Sequence, residues 1–369
     1  MRRAGPLFAN ADTHQAARNP SEQTDARGSM HTNTTGQAHR LRGSTRVYGA
    51  LALLGCAVLW LALNIGRGHS DDATLGPVFV RLRGLRVGAA FLAGSALAVG
   101  GVMVQGLFRN PLASPSVIGT TAGASLGGRL AILLQATLSA NALPHLAPEM
   151  IQPLGCLVGA LCALVLLLAV HKRQDELVVL LLIGFLLSAM FLALGGLVTS
   201  IAQERWELAR AMIAFALGDV SGAGIRHLAM ALPLVLAGVL AAFLWGGQLD
   251  LMLSGEDEAQ TLGIEVRTLR LYCVVWTGVL TAAAVSLSGN VGFVGLVVPH
   301  ALRPWVGVSH RRLVPAAALL GGTFVVACDL VARALPTQSE MPLGVVTGLI
   351  GAPLFLTLLL RSRREEYDA

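Results

Sequence analysis

The side chains of this 369-residue chain that could do chemistry are few, and their types point to recognition rather than bond-making. The longest polar interruption of an otherwise apolar sequence is residues 248–270, QLDLMLSGEDEAQTLGIEVRTLR. Ser254 is predicted to N-cap a short helix there, with Asp257 three residues on as the capping-box acid. Glu256, Asp257 and Glu258 crowd its first turn, where the helix dipole favours negative charge. Gly263 supplies the left-handed stop, and Ile264 can fold back on the helix. Such a capped, acidic element outside a bilayer is either a solvated link between spans or a docking surface for a cytoplasmic partner. No catalytic or metal-ligating set accompanies it: there is no HExxH and no CxxC. Lys172 is the sole lysine, so no Walker A sequence can be written, and any ATP that drives this protein is bound by another chain.

The elements that must carry these residues are membrane helices. The chain is 54% apolar and only 13% charged, against about 25% charge in soluble domains. Successive apolar runs are long enough to cross a bilayer, and 42 glycines suit close helix packing in lipid. Cys56, Cys156, Cys162, Cys273 and Cys328 all lie within apolar segments and read as small buried hydrophobes. The net charge of +6 reports topology, not nucleic-acid binding.

The expected fold is all-α and polytopic, with about ten transmembrane helices near residues 47–65, 87–107, 116–136, 150–170, 177–200, 226–247, 271–288, 289–307, 313–332 and 342–360. Residues 211–222 are too short to span and read as a re-entrant or interfacial helix. Residues 1–45 are polar and aperiodic, an expected disordered cytoplasmic tail in which Met30 is an alternative start. The ten-helix transmembrane domain is then 46–365. An even number of spans puts both termini on one side, and the arginine distribution favours the cytoplasm. The segment 248–270 follows six of these spans and precedes four, and two halves of inverted pseudo-symmetry are a further expectation for a fold of this kind.

Four stretches carry a resemblance: GVMVQGLFRNPLASPSVIGTTAGASLGG (101–128), SGEDEAQTLGIEV (254–266), SGNVGFVGLVVPHALR (288–303), and ACDLVAR with MPLGVVTGLIGAPLFLTLL (327–333 and 341–359). In these the chain resembles the FecCD-type permeases of ATP-binding-cassette importers for ferric siderophores, haem and cobalamin. The resemblance implies a multi-pass protein of the bacterial plasma (inner) membrane with both termini cytoplasmic. It implies a second permease subunit, identical or a sister chain, around one pathway in membrane lipid. It further implies two cytoplasmic ATPase subunits, which bind the ATP and Mg, and an external substrate-binding protein. No cofactor is expected on this chain, which is not expected to be an enzyme. A ferric siderophore is the expected cargo, with haem or cobalamin as alternatives. An ion-coupled secondary transporter finds less support, because only Asp329 is a fair intramembrane coupling acid.

By the same resemblance Ser254, Gly255, Glu256, Asp257, Glu258, Leu262, Gly263 and Ile264 form the ATPase-docking element, with Leu262 and Ile264 as apolar anchors. Arg83, Arg86 and Arg333 match arginines that receive carboxylates of the binding protein. Leu85, preceded by Gly84, replaces the proline usual before the second arginine, so a looser helix start is expected there. Asn110, Pro111 and Leu112 match the loop that narrows the cytoplasmic mouth of the pathway. The second gate loop, HKRQDELVV, departs from the family pattern and assigns no residues. Arg129 and Asp219 are unusual for the family and are candidate pathway residues. Arg129 either faces the pathway, favouring an anionic or hydroxamate-rich cargo, or pairs with a buried acid. His300, after Pro299, reads as a packing residue or a contact towards the ATPase side.

Overall fold

A computed structural model describes residues 46–65, 76–137, 147–171, 177–335 and 340–367. The tail 1–45 and the loop holding Lys172 and Arg173 lie outside the described residues. Two units are distinguished, Met1–Val47 and Tyr48–Ala369. Of the first only Arg46 and Val47 are described, and they begin a helix.

The described residues form twelve α-helices and no strand: α1 (Arg46–Asn64), α2 (Gly76–Leu107), α3 (Thr120–Thr137), α4 (Pro148–His171), α5 (Leu177–Ile201), α6 (Trp206–Leu217), α7 (Ile225–Met252), α8 (Glu256–Thr261), α9 (Val266–Ser288), α10 (Val294–Val306), α11 (His310–Ala334) and α12 (Leu343–Tyr367). Eight of them, α1, α2, α4, α5, α7, α9, α11 and α12, are long and apolar enough to cross a membrane. The two other expected spans differ for visible reasons. α10 has 13 residues, about 20 Å of helix against a hydrocarbon core of about 30 Å. α3 has 18 residues, but TTAGASLGGR makes its first half small and polar.

α2 begins eleven residues before the expected 87, because the arginine cluster is itself helical. Arginine is a good helix former, and its stem can lie along apolar surface while the charge stays wet. Gly84 does not loosen this start, for the helix runs through it. From Val87 to Leu107 α2 is almost continuously buried, packed against α7, α9, α10 and α11. It and α9 form the core, whereas α1, α5 and α12 leave most of their apolar side chains exposed, as lipid-facing helices do.

Glycine sets the closest approach. Gly123 and Gly127 of α3 face Gly159 and Gly155 of α4, each pair spaced by four. A methyl group on any of them would meet a carbonyl oxygen of the opposite helix.

α6 does not span. Its C-terminus meets the α9–α10 break and the start of α12 in a junction that satisfies its own backbone. The N–H of Asp219 donates to the Ser288 carbonyl at 2.9 Å, that of Asn290 to Phe215 at 3.3 Å, and that of Leu343 to Gly218 at 2.8 Å. Irregular backbone at membrane depth survives only where protein partners replace water in this way.

Candidate docking and gating sites

The acidic helix α8 forms where the sequence places it, but its cap differs. Its first helical residue is Glu256, and the N-cap is Gly255 at φ 141°, a backbone angle that L side chains rarely adopt. Ser254 is therefore not the cap and forms no box with Asp257: the glycine takes the turning position and moves the serine one residue out. The other end matches expectation. Gly263 at φ 85° donates to the Gln260 carbonyl at 2.9 Å, and Ile264 N–H donates to Ala259 at 3.0 Å. These are the paired bonds of a Schellman stop. Ala259 is buried, Ile264 half-buried, and Leu262 is 62% exposed at the tip. Glu256 is held internally, with Oε1 3.0 Å from Arg270 Nη2 of α9, while Asp257 and Glu258 stay exposed. α8 thus presents one bare leucine and two outward carboxylates on a fixed base.

The same end of the bundle carries the Asn110–Pro111–Leu112 turn. α2 ends in a second Schellman pair, with Arg109 N–H donating to Gly106 at 3.3 Å and Asn110 N–H to Gln105 at 3.2 Å. Arg109 takes the left-handed position at φ 49°. Asn110 Oδ1 then accepts from Leu112 N–H at 2.9 Å, an Asx turn that fixes Pro111 at the apex. All three residues are exposed.

Around this turn lie polar contacts that sequence reasoning missed. Gln105 Nε2 donates to the Gly295 carbonyl at 3.3 Å, and its Oε1 accepts from Arg303 at 2.6 Å, tying α2 to α10. Asp250, at the end of α7, accepts from Ser309 Oγ and from the backbone and ring of His310. Their separations of 198 and 60 residues leave no local signal. His300 stacks edge-on against Phe355 at 5.6 Å, the packing role.

At the opposite end Arg86 and Arg333 converge on Asp329, a carboxylate that is only 1% exposed. Arg86 donates through Nε to Oδ1 at 2.9 Å, and its Nη1 reaches Glu340 at 2.7 Å. Arg333 Nε lies 3.1 Å from Oδ2 across an i, i+4 spacing, and its Nη atoms donate to the Ala62 and Ile65 carbonyls. Arg83 donates to Leu63 at 3.3 Å. Arg83 and Arg333 therefore both cap the last turn of α1, where orphan carbonyls and the dipole favour cations.

A cavity of about 670 Å³ opens beside this cluster, lined by Arg86, Arg210, Asp219, Asp329 and Glu340 among others. Asp219 lies at its wall, its carboxylate accepting from Ser221 N–H and Oγ at 2.7 and 2.8 Å. Arg129 is not brought to it. Its side chain is buried in α3 with the guanidinium across Gly195 of α5, its Nε has no partner among the described residues, and it faces no acid there.

The comparisons agree with this architecture. A cobalamin import permease, BtuC of Halobacterium salinarum, is 38% identical over 319 residues, covering 84% of this chain and 82% of that one. The hemin transport permease HmuU of Yersinia pestis is 36% identical, covering 86% and 93%. The solved inward-facing structure of a transporter described as of metal-chelate type superposes with a TM-score of 0.75 at 30% identity, covering 86% of this chain and 99% of that one. The FecCD transport family matches residues 49–361, and the chain is a member of that family of ATP-binding-cassette import permeases.

Proposed function

We propose that this permease passes a ferric siderophore inward through a pathway shared with a second permease subunit, driven by separate ATPase subunits seated on α8. The observation that carries the proposal is α8 itself. A six-residue helix fixed by two positive-φ glycines and an Arg270 tether, with Leu262 bare at its tip, is built for contact with another protein. On this reading the α8 end is cytoplasmic. α1 starts at that end, where the Tyr48 hydroxyl bonds the Arg312 carbonyl beside His310, and α12 runs towards it from the Gly218 junction, so both termini are assigned to the cytoplasm. The Arg83–Arg86–Arg333 end then faces outward to an external binding protein.

The cargo class follows from two supports. The two relatives and the structural neighbour named above are described as handling cobalamin, hemin and metal chelates, metals wrapped in an organic ligand, while a further relative, of Haemophilus influenzae, is described as a molybdate import permease. Among the described residues no group of His, Cys, Asp or Glu is placed to hold a bare ion. Within that class a ferric siderophore is our first assignment. Haem or cobalamin is the second reading, favoured by the names of the two relatives. Uptake of labelled ferric siderophore, cobalamin and haemin by iron-starved cells with and without the gene tests it. Loss of iron–siderophore uptake alone is expected, and loss of cobalamin or haemin uptake alone overturns the cargo.

A further inference from the structure

We infer that Asp250 and His310 are positioning residues that carry movement of α8 to the Asn110–Leu112 mouth, an inference that rests on α8 being the ATPase seat. The connection from α7 to α8 is not a loose linker. Leu253, Ser254 and Gly255 donate in turn to Asp250, Leu251 and Met252 at 3.2, 3.4 and 3.2 Å, so displacing α8 displaces the last turn of α7. That turn is bolted to α11. Asp250 Oδ1 accepts the His310 backbone N–H at 2.7 Å and lies 2.6 Å from His310 Nδ1, while Oδ2 accepts Ser309 Oγ at 2.8 Å. The carboxylate supplies the cap that Ser309 itself does not give α11. Gly246 and Gly247 let the first turn of α11 nest directly on α7, with backbone and side chain of Arg311 against them.

The other edge of the His310 ring meets α2. The ring is 3% exposed, and a methyl group added to Gly106 would collide with its Nε2. Gly106 is the residue whose carbonyl receives Arg109 N–H in the stop that sets the Asn110 turn. The chain of contact therefore runs from α8 through Asp250 and His310 to Gly106 and Asn110 without a gap. Close-packed interiors pass such displacements on instead of absorbing them. Contact alone is not coupling, so the test reads coupling directly.

The whole importer, with its ATPase and binding protein, is reconstituted in lipid vesicles. ATP hydrolysis is measured beside entry of whichever of labelled ferric siderophore, cobalamin or haemin the wild type carries. His310→Ala keeps the backbone bond to Asp250 and the Ser309 bond but empties the space against Gly106. We expect the ATPase to co-purify and hydrolyse at the wild-type rate while cargo entry per ATP falls about tenfold. Asp250→Ala should do the same, and Asp250→Asn, which keeps its acceptor oxygen, should restore coupling to within about twofold of wild type. Uptake and hydrolysis falling in proportion, or uptake per ATP unchanged in His310→Ala, overturns the inference. Failure of the ATPase to co-purify with the wild-type chain overturns the α8 reading instead.

Discussion

Arg86 of α2 and Asp329 of α11 meet with both Nε and Nη2 at 2.9 Å from one carboxylate oxygen, joining helices 243 residues apart in sequence. Arg333 holds the other oxygen, so one buried carboxylate stands between two guanidinium groups. The arginines expected to await a partner's carboxylates are already engaged by one of this chain's own. Asp329 binds the cluster together from within, and the Arg86 Nη1 contact with Glu340 lies on its more exposed side.

Asp329→Ala leaves Arg86 and Arg333 buried without their shared anion. Removing one member of a buried pair costs about 3–5 kcal/mol, far more than the pair itself contributes. Thermal unfolding of the purified chain in detergent should show a clear fall in Tm. An unchanged Tm would mean that the two arginines find carbonyl partners enough at the end of α1.

Glu340→Gln acts on the other contact of Arg86. Glu340 is 41% exposed, and such a pair is worth about 0–1 kcal/mol, so stability should barely move. The freed Nη1 then becomes available to an acidic partner without a competitor. Titration of labelled binding protein onto the permease in nanodiscs should give tighter binding, with the gain shrinking as salt rises. Weaker binding would place Glu340 itself among the contacts. Arg83→Glu should weaken the same titration.

What the sequence made legible depends on the range of the interaction. Span length and apolar runs are local, so the number and order of helices could be read, and the Gly263 stop as well. The Asp329–Arg333 pair was legible because i, i+4 lies on one helical face. The Arg86–Asp329 and Asp250–His310 contacts were not, since nothing in either segment specifies a partner 243 or 60 residues away. Ser254 lies outside the cap for a different reason. Serine and glycine both suit the residue before a helix, and the φ of 141° that decides between them is set by how α7 turns into α8. α2 begins before the expected span because the arginine cluster bounds the apolar stretch without ending the helix.

The α3–α4 contact offers a test of packing alone. Gly127→Leu places a branched side chain where the Gly155 carbonyl lies, so the helices must separate along their length. Overpacking typically costs about 1–3 kcal/mol, and here backbone is the obstacle, so the upper end or beyond is expected. Reduced yield of monodisperse protein checks it. Gly196→Leu, at a glycine with open space around it, is the control that should behave as wild type.

The cap of α8 gives the sharpest distinction between a link and a docking element. Gly255→Ala forces an L residue into φ 141° and brings its methyl within 3.3 Å of Glu258 Oε2. A non-glycine residue in so sparsely populated a region costs about 1–3 kcal/mol, and a helix of six residues has no cooperative reserve to meet it. α8 should fray while the bundle, whose core lies in α2 and α9, keeps its Tm. Co-purification of the ATPase should fall sharply in Gly255→Ala and in Leu262→Glu, the second without any backbone change. Ser254→Ala should leave it untouched, because its hydroxyl caps nothing. If α8 were only a solvated link, all three variants would retain the ATPase alike. If Ser254→Ala alone released it, the serine would be a direct contact with the ATPase and the glycine cap of secondary importance.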